Sequence, residues 1–152
     1  MTAQDVRHVA RESWLETVTS LRGEGFTMLT DLTAVDHLSN STRVLPDDIA
    51  PERFEVVASL LDMNARARLR LRAQVPASDP TIASLFSVHP GCEALEREVF
   101  DMFGITFEDH PDLTRILMPE DWEGFPLRKD YAMGRIPVQF KEAGKPQPGV
   151  AS

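Results

Sequence analysis

The sequence predicts an α+β fold in which a small mixed or antiparallel sheet is covered by two or three helices and followed by an extended, irregular C-terminal arm. Its 152 residues suit one domain, and a hydrophobic content of 42% is enough for a core. Arginines alternate with apolar residues along 66–75, as in a half-buried strand. Six of the eleven prolines lie between Pro111 and Pro148, where little regular structure can form. We therefore predict a domain over 1–104 and a proline-rich arm over 105–152.

The first half of the predicted domain contains one helix and two strands. Apolar residues at helical spacing predict an amphipathic helix over 5–22, and the glycines after it favour a stop. Residues 26–30 predict a strand, and residues 31–52 a polar connection rich in turn-forming residues. Residues 53–63 are apolar on both faces, which predicts a central strand that is covered on both sides.

A hairpin is predicted next, because a tight turn at 63–65 joins the central strand to the alternating segment. The apolar side of that segment carries Leu69, Leu71, Ala73 and Val75, and its polar side carries Arg66, Arg68, Arg70 and Arg72. Such a row of arginines either binds an anionic partner or forms a solvated face neutralised by nearby acids. The second interpretation is favoured, since the chain has acids to spare.

Two helices are predicted after the hairpin. Asp79 as N-cap and Pro80 at the first helical position predict a helix over 78–88. A further helix is predicted over 91–103 and ends at Gly104. Its apolar face carries Leu95, Val99, Met102 and Phe103, and its polar face carries Glu93, Glu96, Arg97 and Asp101. We predict that this polar face is solvated and contains an i, i+4 ion pair between Arg97 and Asp101.

Charge and cysteine content exclude several classes of function. The net charge of −8 argues against unaided binding to nucleic acid or to an anionic membrane surface. The single cysteine, Cys92, excludes an internal disulfide and any metal or iron–sulfur site built from several cysteines of this chain. We expect no transmembrane helix, no signal peptide and no glycine-rich nucleotide loop, and a reducing compartment.

The arm combines charged residues with more apolar side chains than a solvated, disordered tail would carry. It therefore needs a surface to lie on, either its own domain or a partner. In residues 126–131 Arg128 suits a bidentate pair with a partner carboxylate, and Tyr131 suits an apolar contact. An alternative is a metal-dependent hydrolase that uses Glu98, Asp101, Asp109 and His110, but the turn that precedes Pro111 separates neighbouring side chains.

One long pattern extends from the last helix into the arm. It comprises Glu96, Arg97, Glu98, Asp101, Met102, Phe103, His110, Arg115, Ile116 and Leu117, followed by Pro-Leu-Arg-Lys-Asp-Tyr at 126–131. This pattern closely resembles the signature of the subunit-C family of proton-translocating NADH-quinone oxidoreductase, respiratory complex I. Residues 31–38 also resemble the first strand of that family and the residues that directly follow this strand. The resemblance covers most of the chain from about Phe26 to Tyr131.

The resemblance implies a structural subunit without a cofactor or active site of its own, since FMN and the iron–sulfur clusters belong to partner subunits. The implied partners are the subunit-D and subunit-B homologues near the quinone site, with the ferredoxin-like subunit-I homologue as a further neighbour. The implied location is peripheral, on the cytoplasmic side of a bacterial-type cell membrane. The equivalent subunit of a membrane-bound NiFe hydrogenase is the alternative.

The resemblance also suggests roles for individual residues. Glu96, Arg97, Glu98, Asp101 and His110 form a structural motif in which the charged side of the helix helps to fix the start of the arm. The residues expected to bind partners all lie in the arm: Arg115, Trp122, Phe125, Arg128, Lys129, Asp130 and Tyr131. Of these, Arg115, Arg128 and Lys129 would pair with acids of a neighbour, and Trp122, Phe125 and Tyr131 would fill apolar pockets.

Overall fold

The computed structural model describes residues 5–40 and 42–132, which form an α+β structure with six strands and two α-helices. The order along the chain is β1 (Asp5–Val9), α1 (Trp14–Gly23), β2 (Met28–Asp36), β3 (Phe54–Asp62), β4 (Ala67–Val75), β5 (Thr81–Ala83), α2 (Glu93–Phe103) and β6 (Thr106–Glu108). A short 3-10 turn precedes each helix. The predicted fold class, with a mixed sheet and two helices, is confirmed.

The main sheet has four strands in the order β1-β4-β3-β2. β3 pairs antiparallel with both β2 and β4, whereas β1 pairs parallel with β4. The central position of β3 and its hairpin with β4 are therefore as predicted. Leu69, Leu71, Ala73 and Val75 are buried on one face of β4, which confirms the alternation read from the sequence.

Both helices pack on the face of the sheet that β4 lines with these four apolar side chains. Trp14, Val18 and Leu21 repeat at i, i+4 and i+7 along α1 and are fully buried, so the helix turns one apolar stripe to the core. From α2, Val99 and Met102 join the same core. In the described part of the chain, no helix is long and apolar enough to cross a membrane.

A smaller unit follows the main sheet and leads directly into the arm. β5 and β6 pair parallel to each other, with Ile82 opposite Phe107, and α2 forms the connection between them. Ile82 and Phe107 are both buried. The predicted boundary at residue 104 thus falls inside a β–α–β unit, between α2 and β6.

Three predicted elements are wrong. The predicted helix over 5–22 is instead the strand β1 followed by the shorter helix α1. The spacing of Val6 and Val9 fits one face of a helix, but the same two residues are equally suited to a short strand at the edge of a sheet. The strand over 26–30 begins at Met28 and continues to Asp36, so the first part of the predicted polar connection, residues 31–36, belongs to β2. There is no helix over 78–88: residues 81–83 form β5 instead.

Candidate functional site: the junction between the domain and the arm

The start of the arm is held by one carboxylate of α2. Asp101 is fully buried and accepts hydrogen bonds from the backbone N–H groups of Ile116, Leu117 and Met118, at 3.1, 2.7 and 2.8 Å. Three consecutive N–H groups converge on one oxygen, Oδ2, as in a backbone anion-binding nest. The charged side of α2 therefore fixes residues 116–118 of the arm directly.

Arg115 completes the coordination of Asp101. Its Nη1 donates to Oδ1 at 2.6 Å, and its Nη2 donates to the backbone carbonyls of Trp122 and Gly124 at 2.9 and 3.0 Å. Burial pushes the pKa of Asp101 upward, but the N–H donors and Arg115 outweigh burial and hold that pKa below its usual range. The ion pair between Asp101 and Arg115 thus links α2 to residues 115–118 and to the carbonyls of Trp122 and Gly124.

A second carboxylate, at the end of β2, holds the far part of the described arm. Asp36 accepts from Arg53 Nη2 at 2.9 Å and from the backbone N–H of Lys129 at 2.8 Å. The same Arg53 nitrogen reaches Asp130 Oδ1 at 2.7 Å. Arg53 therefore lies between an acid of the domain and an acid of the arm, and both hydrogen bonds raise its pKa.

The stability that Asp36 supplies is expected to vanish in acid. Burial raises the pKa of Asp36, but Arg53 and two backbone N–H groups lower it to about 2, against an ordinary value of 3.8. Because the folded-state pKa is the lower one, the contribution is complete above the ordinary value and is lost as the pH falls from about 4 towards about 2.

Urea unfolding of the original chain and of Asp36→Asn checks this expectation. The difference in unfolding free energy should be about 2 kcal/mol near about pH 6 and should shrink as the pH falls below about 4. A difference that stays constant over this range would show that the charge of Asp36 contributes nothing.

Arg128 and Phe125 pack against the end of α2 and the start of β3. Arg128 Nε donates to the carbonyl of Phe103 at 2.6 Å, and its guanidinium lies 4.5 Å from the centre of the Phe125 ring and 5.2 Å from that of Phe54. Gly104 makes this approach possible, because a Cβ there would lie 2.6 Å from the Phe125 ring. The arm thus packs against the C-terminal end of α2.

Glu96 holds the N-terminal half of α2 in the same way. It is fully buried and accepts from Ser84 Oγ at 2.5 Å and from the backbone N–H of Leu85 at 2.7 Å. His110 Nε2 lies 3.9 Å from the carboxylate, while its Nδ1 accepts from the N–H of Asp112 at 3.0 Å. Burial raises the pKa of Glu96 despite these donors. The cluster joins the helix to residues on both sides of it.

Several sequence-based predictions for α2 are wrong. Its polar face is not solvated, since Glu96 and Asp101 are fully buried, and only Glu98 of the three signature acids is exposed. The predicted pair of Arg97 with Asp101 is absent; Arg97 instead lies 3.3 Å from Glu93 and donates to carbonyls of the arm. The helix pattern alone could not show that the arm would cover this face.

The hydrolase alternative finds no support in this geometry. Asp101 is saturated by the arm, both ring nitrogens of His110 have hydrogen-bonding partners, and Glu98 and Asp109 are exposed. Within residues 5–40 and 42–132, no group of three His, Cys, Asp or Glu side chains is arranged to hold a metal ion.

The described part of the arm exposes three large apolar side chains. Ile116, Leu117 and Leu127 are 41%, 61% and 51% exposed, although the backbone beside each is fixed by hydrogen bonds. Trp122 has a buried Nε1 without a hydrogen-bonding partner among the described residues. A fixed segment that exposes apolar side chains is typical of a protein-binding surface.

The sequence matches a known protein family over most of its length. This family is described as respiratory-chain NADH dehydrogenase, 30 Kd subunit, and the match covers residues 7–136. The chain belongs to this family. The resemblance inferred from the pattern at 96–131 is therefore confirmed.

Individual relatives agree with this family. The C subunit of NADH-quinone oxidoreductase from Saccharopolyspora erythraea is 42% identical over 93% of this chain and 62% of the relative. NADH-quinone oxidoreductase subunit 5 of Thermus thermophilus is 41% identical over 87% of this chain and 63% of the relative. The chain thus spans about three fifths of the length of these two curated family members.

Solved structures support the fold of the family. A trypsin-resistant fragment of Nqo5 matches with a TM-score of 0.63 and 34% identity, over 71% of this chain and 81% of the fragment. The membrane-bound sulfane sulfur reductase, an archaeal respiratory membrane complex, contains a chain that matches with a TM-score of 0.71 over 93% of this chain and 85% of that one. At 20% identity the second match shows a shared fold alone.

The structure places the predicted partner-binding residues as follows. Arg115, Arg128 and Phe125 are partly buried against their own domain, and Lys129 contributes its backbone N–H there. Trp122, Asp130 and Tyr131 line an open cleft of about 610 Å³. Their predicted role in binding other subunits stays a prediction. Asp36 and Arg53 were not among the predicted site residues: Asp36 lies in the 31–38 segment that resembles the family, but nothing in its spacing indicated a contact with the arm.

Proposed function

We propose that this chain is a structural subunit, without a cofactor of its own, in the peripheral arm of NADH-quinone oxidoreductase. That enzyme transfers electrons from NADH through flavin and iron–sulfur centres to a quinone and couples the transfer to proton translocation. The observation that carries the proposal is family membership over residues 7–136, together with curated relatives named as subunits of this enzyme.

The geometry of the arm supports a scaffolding role. Asp101 and Asp36 saturate their hydrogen-bonding capacity within the chain, so they are used for shape rather than for chemistry. Fixing the arm in advance lowers the entropy lost when a partner binds. What the arm then offers to a neighbour is the apolar side chains of Ile116, Leu117 and Leu127.

The proposed neighbours are the subunit-D and subunit-B homologues, with the ferredoxin-like subunit-I homologue adjacent. Through them the chain would lie on the cytoplasmic side of the cell membrane. Flavin and iron–sulfur clusters would be held by other subunits. The hydrogenase-type alternative is not favoured, because the curated relatives described above are NADH-quinone oxidoreductase subunits.

Replacing Leu117 by aspartate is expected to weaken assembly without unfolding the chain. A charge placed on an apolar contact must lose its hydration when the partner binds, so recovery of the co-purified subunit-D homologue should fall roughly tenfold. The matched control is Met63→Asp: Met63 is also 61% exposed but lies in the β3–β4 turn, away from the arm.

Unfolding in urea separates assembly from stability. Both variants should keep the unfolding free energy of the original chain within about 0.5 kcal/mol, because both side chains are exposed. Equal recovery of the subunit-D homologue with Leu117→Asp and with Met63→Asp would contradict the proposed role of the arm.

A further inference from the structure

The face of the main sheet turned away from the helices has a composition of its own. Strand register places Val57, Ser59 and Leu61 of β3 on this face beside Arg72, Arg70 and Arg68 of β4, in that order. Asp31, Thr33 and Val35 of β2 continue the face on one side, and Val6 and His8 of β1 continue it on the other. We call this surface the arginine face. In the described part of the chain, neither α-helix covers it.

Among the described residues, ion pairs reach only one end of the arginine face. Arg72 Nη1 lies 3.5 Å from Glu55, but that carboxylate also accepts from Gln74 at 2.6 Å and has Arg43 at 3.8 Å. Glu55 is therefore already shared and is buried among these groups. Among the described residues, Arg68 and Arg70 form no ion pair, and neither does Arg66. The expectation that nearby acids neutralise the row therefore holds only for Arg72.

Hydrogen bonding along the row is also incomplete. The Nε atoms of Arg70 and Arg72 are buried and have no acceptor among the described residues. A buried donor without an acceptor destabilises the folded chain, and more so when the group is charged. Arg70 lines a depression of about 270 Å³ together with Arg68, Asp31, Ser59 and Leu61. The row thus combines unpaired guanidinium groups with a concave space beside them.

The spacing of the row selects the shape of a complementary ligand. Arg68, Arg70 and Arg72 alternate along one strand, so their Cα atoms follow one another at roughly 6.5 Å. An extended polypeptide repeats at the same distance every second residue, which places its alternate side chains opposite successive arginines. Carboxylates at those positions match guanidinium groups in charge and in bidentate geometry. Leu61 and Val57 offer apolar contact beside them.

We propose that the arginine face binds an extended, acidic segment of another protein chain, with alternate Asp or Glu side chains opposite Arg68 and Arg70. The net charge of −8 disfavours nucleic acid or an anionic membrane as the ligand, because a large polyanion would be repelled by the charge of the whole chain. A local carboxylate contact is much less affected, because salt screens charges beyond about 10 Å.

This surface is distinct from the one in the proposed function. The arm contacts Asp36 and Phe54, which register places on the helix side of the sheet. The arginine face lies on the opposite side. Variants of Arg70 and variants of Leu117 therefore test separate surfaces, and either proposal can fail while the other stands.

The first test is a titration of the full-length chain with a fluorescent peptide that alternates glutamate and threonine along its length. We expect saturable binding, weakened roughly tenfold by Arg68→Gln with Arg70→Gln. A peptide in which glutamine replaces glutamate should bind at least about tenfold more weakly, because glutamine cannot form ion pairs with Arg68 and Arg70. Arg7→Gln is the control, because Arg7 lies opposite Leu71 on the other face, and it should change affinity less than about twofold.

The second test uses the assembled complex in native membranes. Arg70→Lys introduces an amine that a zero-length carbodiimide couples to a touching carboxylate, and Arg7→Lys is the matched control. Coupling of Lys at position 70, but not at position 7, to an Asp or Glu in an extended acidic segment of another chain supports the proposal. Coupling within the same chain alone, or equal coupling of both variants, overturns it.

Two further outcomes of the titration also overturn it. One is equal affinity for the glutamate and glutamine peptides. The other is that phosphatidylserine vesicles or single-stranded RNA bind in an Arg70-dependent manner while the glutamate peptide does not.

Discussion

Replacing Asp101 by asparagine should lower the free energy of unfolding by about 3–5 kcal/mol, the cost of breaking a buried pair from one side. Asparagine keeps the size of the side chain but removes its charge. Whichever way the amide is turned, its NH2 group faces either the N–H groups of residues 116–118 or Arg115, and it cannot accept from either. Arg115 would also lose its buried partner while remaining largely inaccessible to water. Urea denaturation followed by circular dichroism measures the change.

The matched control for Asp101 is Glu98→Gln on the same helix. Glu98 is exposed, so this substitution removes one negative charge from α2 without touching the arm, and it should change stability by less than about 0.5 kcal/mol. Similar effects of the two substitutions would mean that the charge of the helix, rather than the contact with the arm, decides stability.

The second large effect is expected at Gly104, which ends α2 with a φ of +70°. Alanine would add backbone strain in the left-handed region and a Cβ 2.6 Å from the Phe125 ring and 2.7 Å from Arg128 Nη2. Strain and overpacking together are expected to cost about 2–5 kcal/mol. The arm should also move away from the helix, so thermal unfolding and co-purification of the subunit-D homologue should both suffer.

Gly91→Ala provides the comparison for Gly104. It lies just before the same helix, has no positive φ, and a Cβ added there would meet no atom within 4 Å. It should be neutral or slightly stabilising, because alanine restricts the unfolded chain. If Gly104→Ala were equally harmless, the close packing of Phe125 and Arg128 against the end of α2 would not contribute to stability.

The parts of the fold with a strong local period could be predicted from the sequence. The alternation of Leu69, Leu71, Ala73 and Val75 and the apolar character of β3 indicated the hairpin correctly. The parallel edge strand β1 could not be predicted, because its pairing with β4 joins residues far apart in sequence. Asp79 resembles a helix cap, but its Oδ2 instead accepts a hydrogen bond from Arg11 Nη1 at 2.8 Å. A residue that the local sequence marks as a cap thus makes a contact with a residue far away in the sequence.

The junction was the hardest part to predict from residue spacing. Glu96 and Asp101 lie on the polar side of an amphipathic helix, and such a face is usually exposed to water. Asp101 is buried by the arm, which has no periodicity of its own, and Glu96 is buried between Ser84 and Leu85 on one side and His110 on the other. Only the specific order of charged residues between 96 and 117 indicated a link between helix and arm, and that signal came from the family rather than from physics.

The parallel pairing of β5 with β6 has a practical consequence for shortened versions of the chain. A stop codon after Gly104 would remove β6 together with the arm, leave Ile82 without Phe107, and free the edge of β5. Poor assembly of such a product would then report a damaged fold rather than a missing contact. Deletions meant to isolate what the arm does must begin after Glu108.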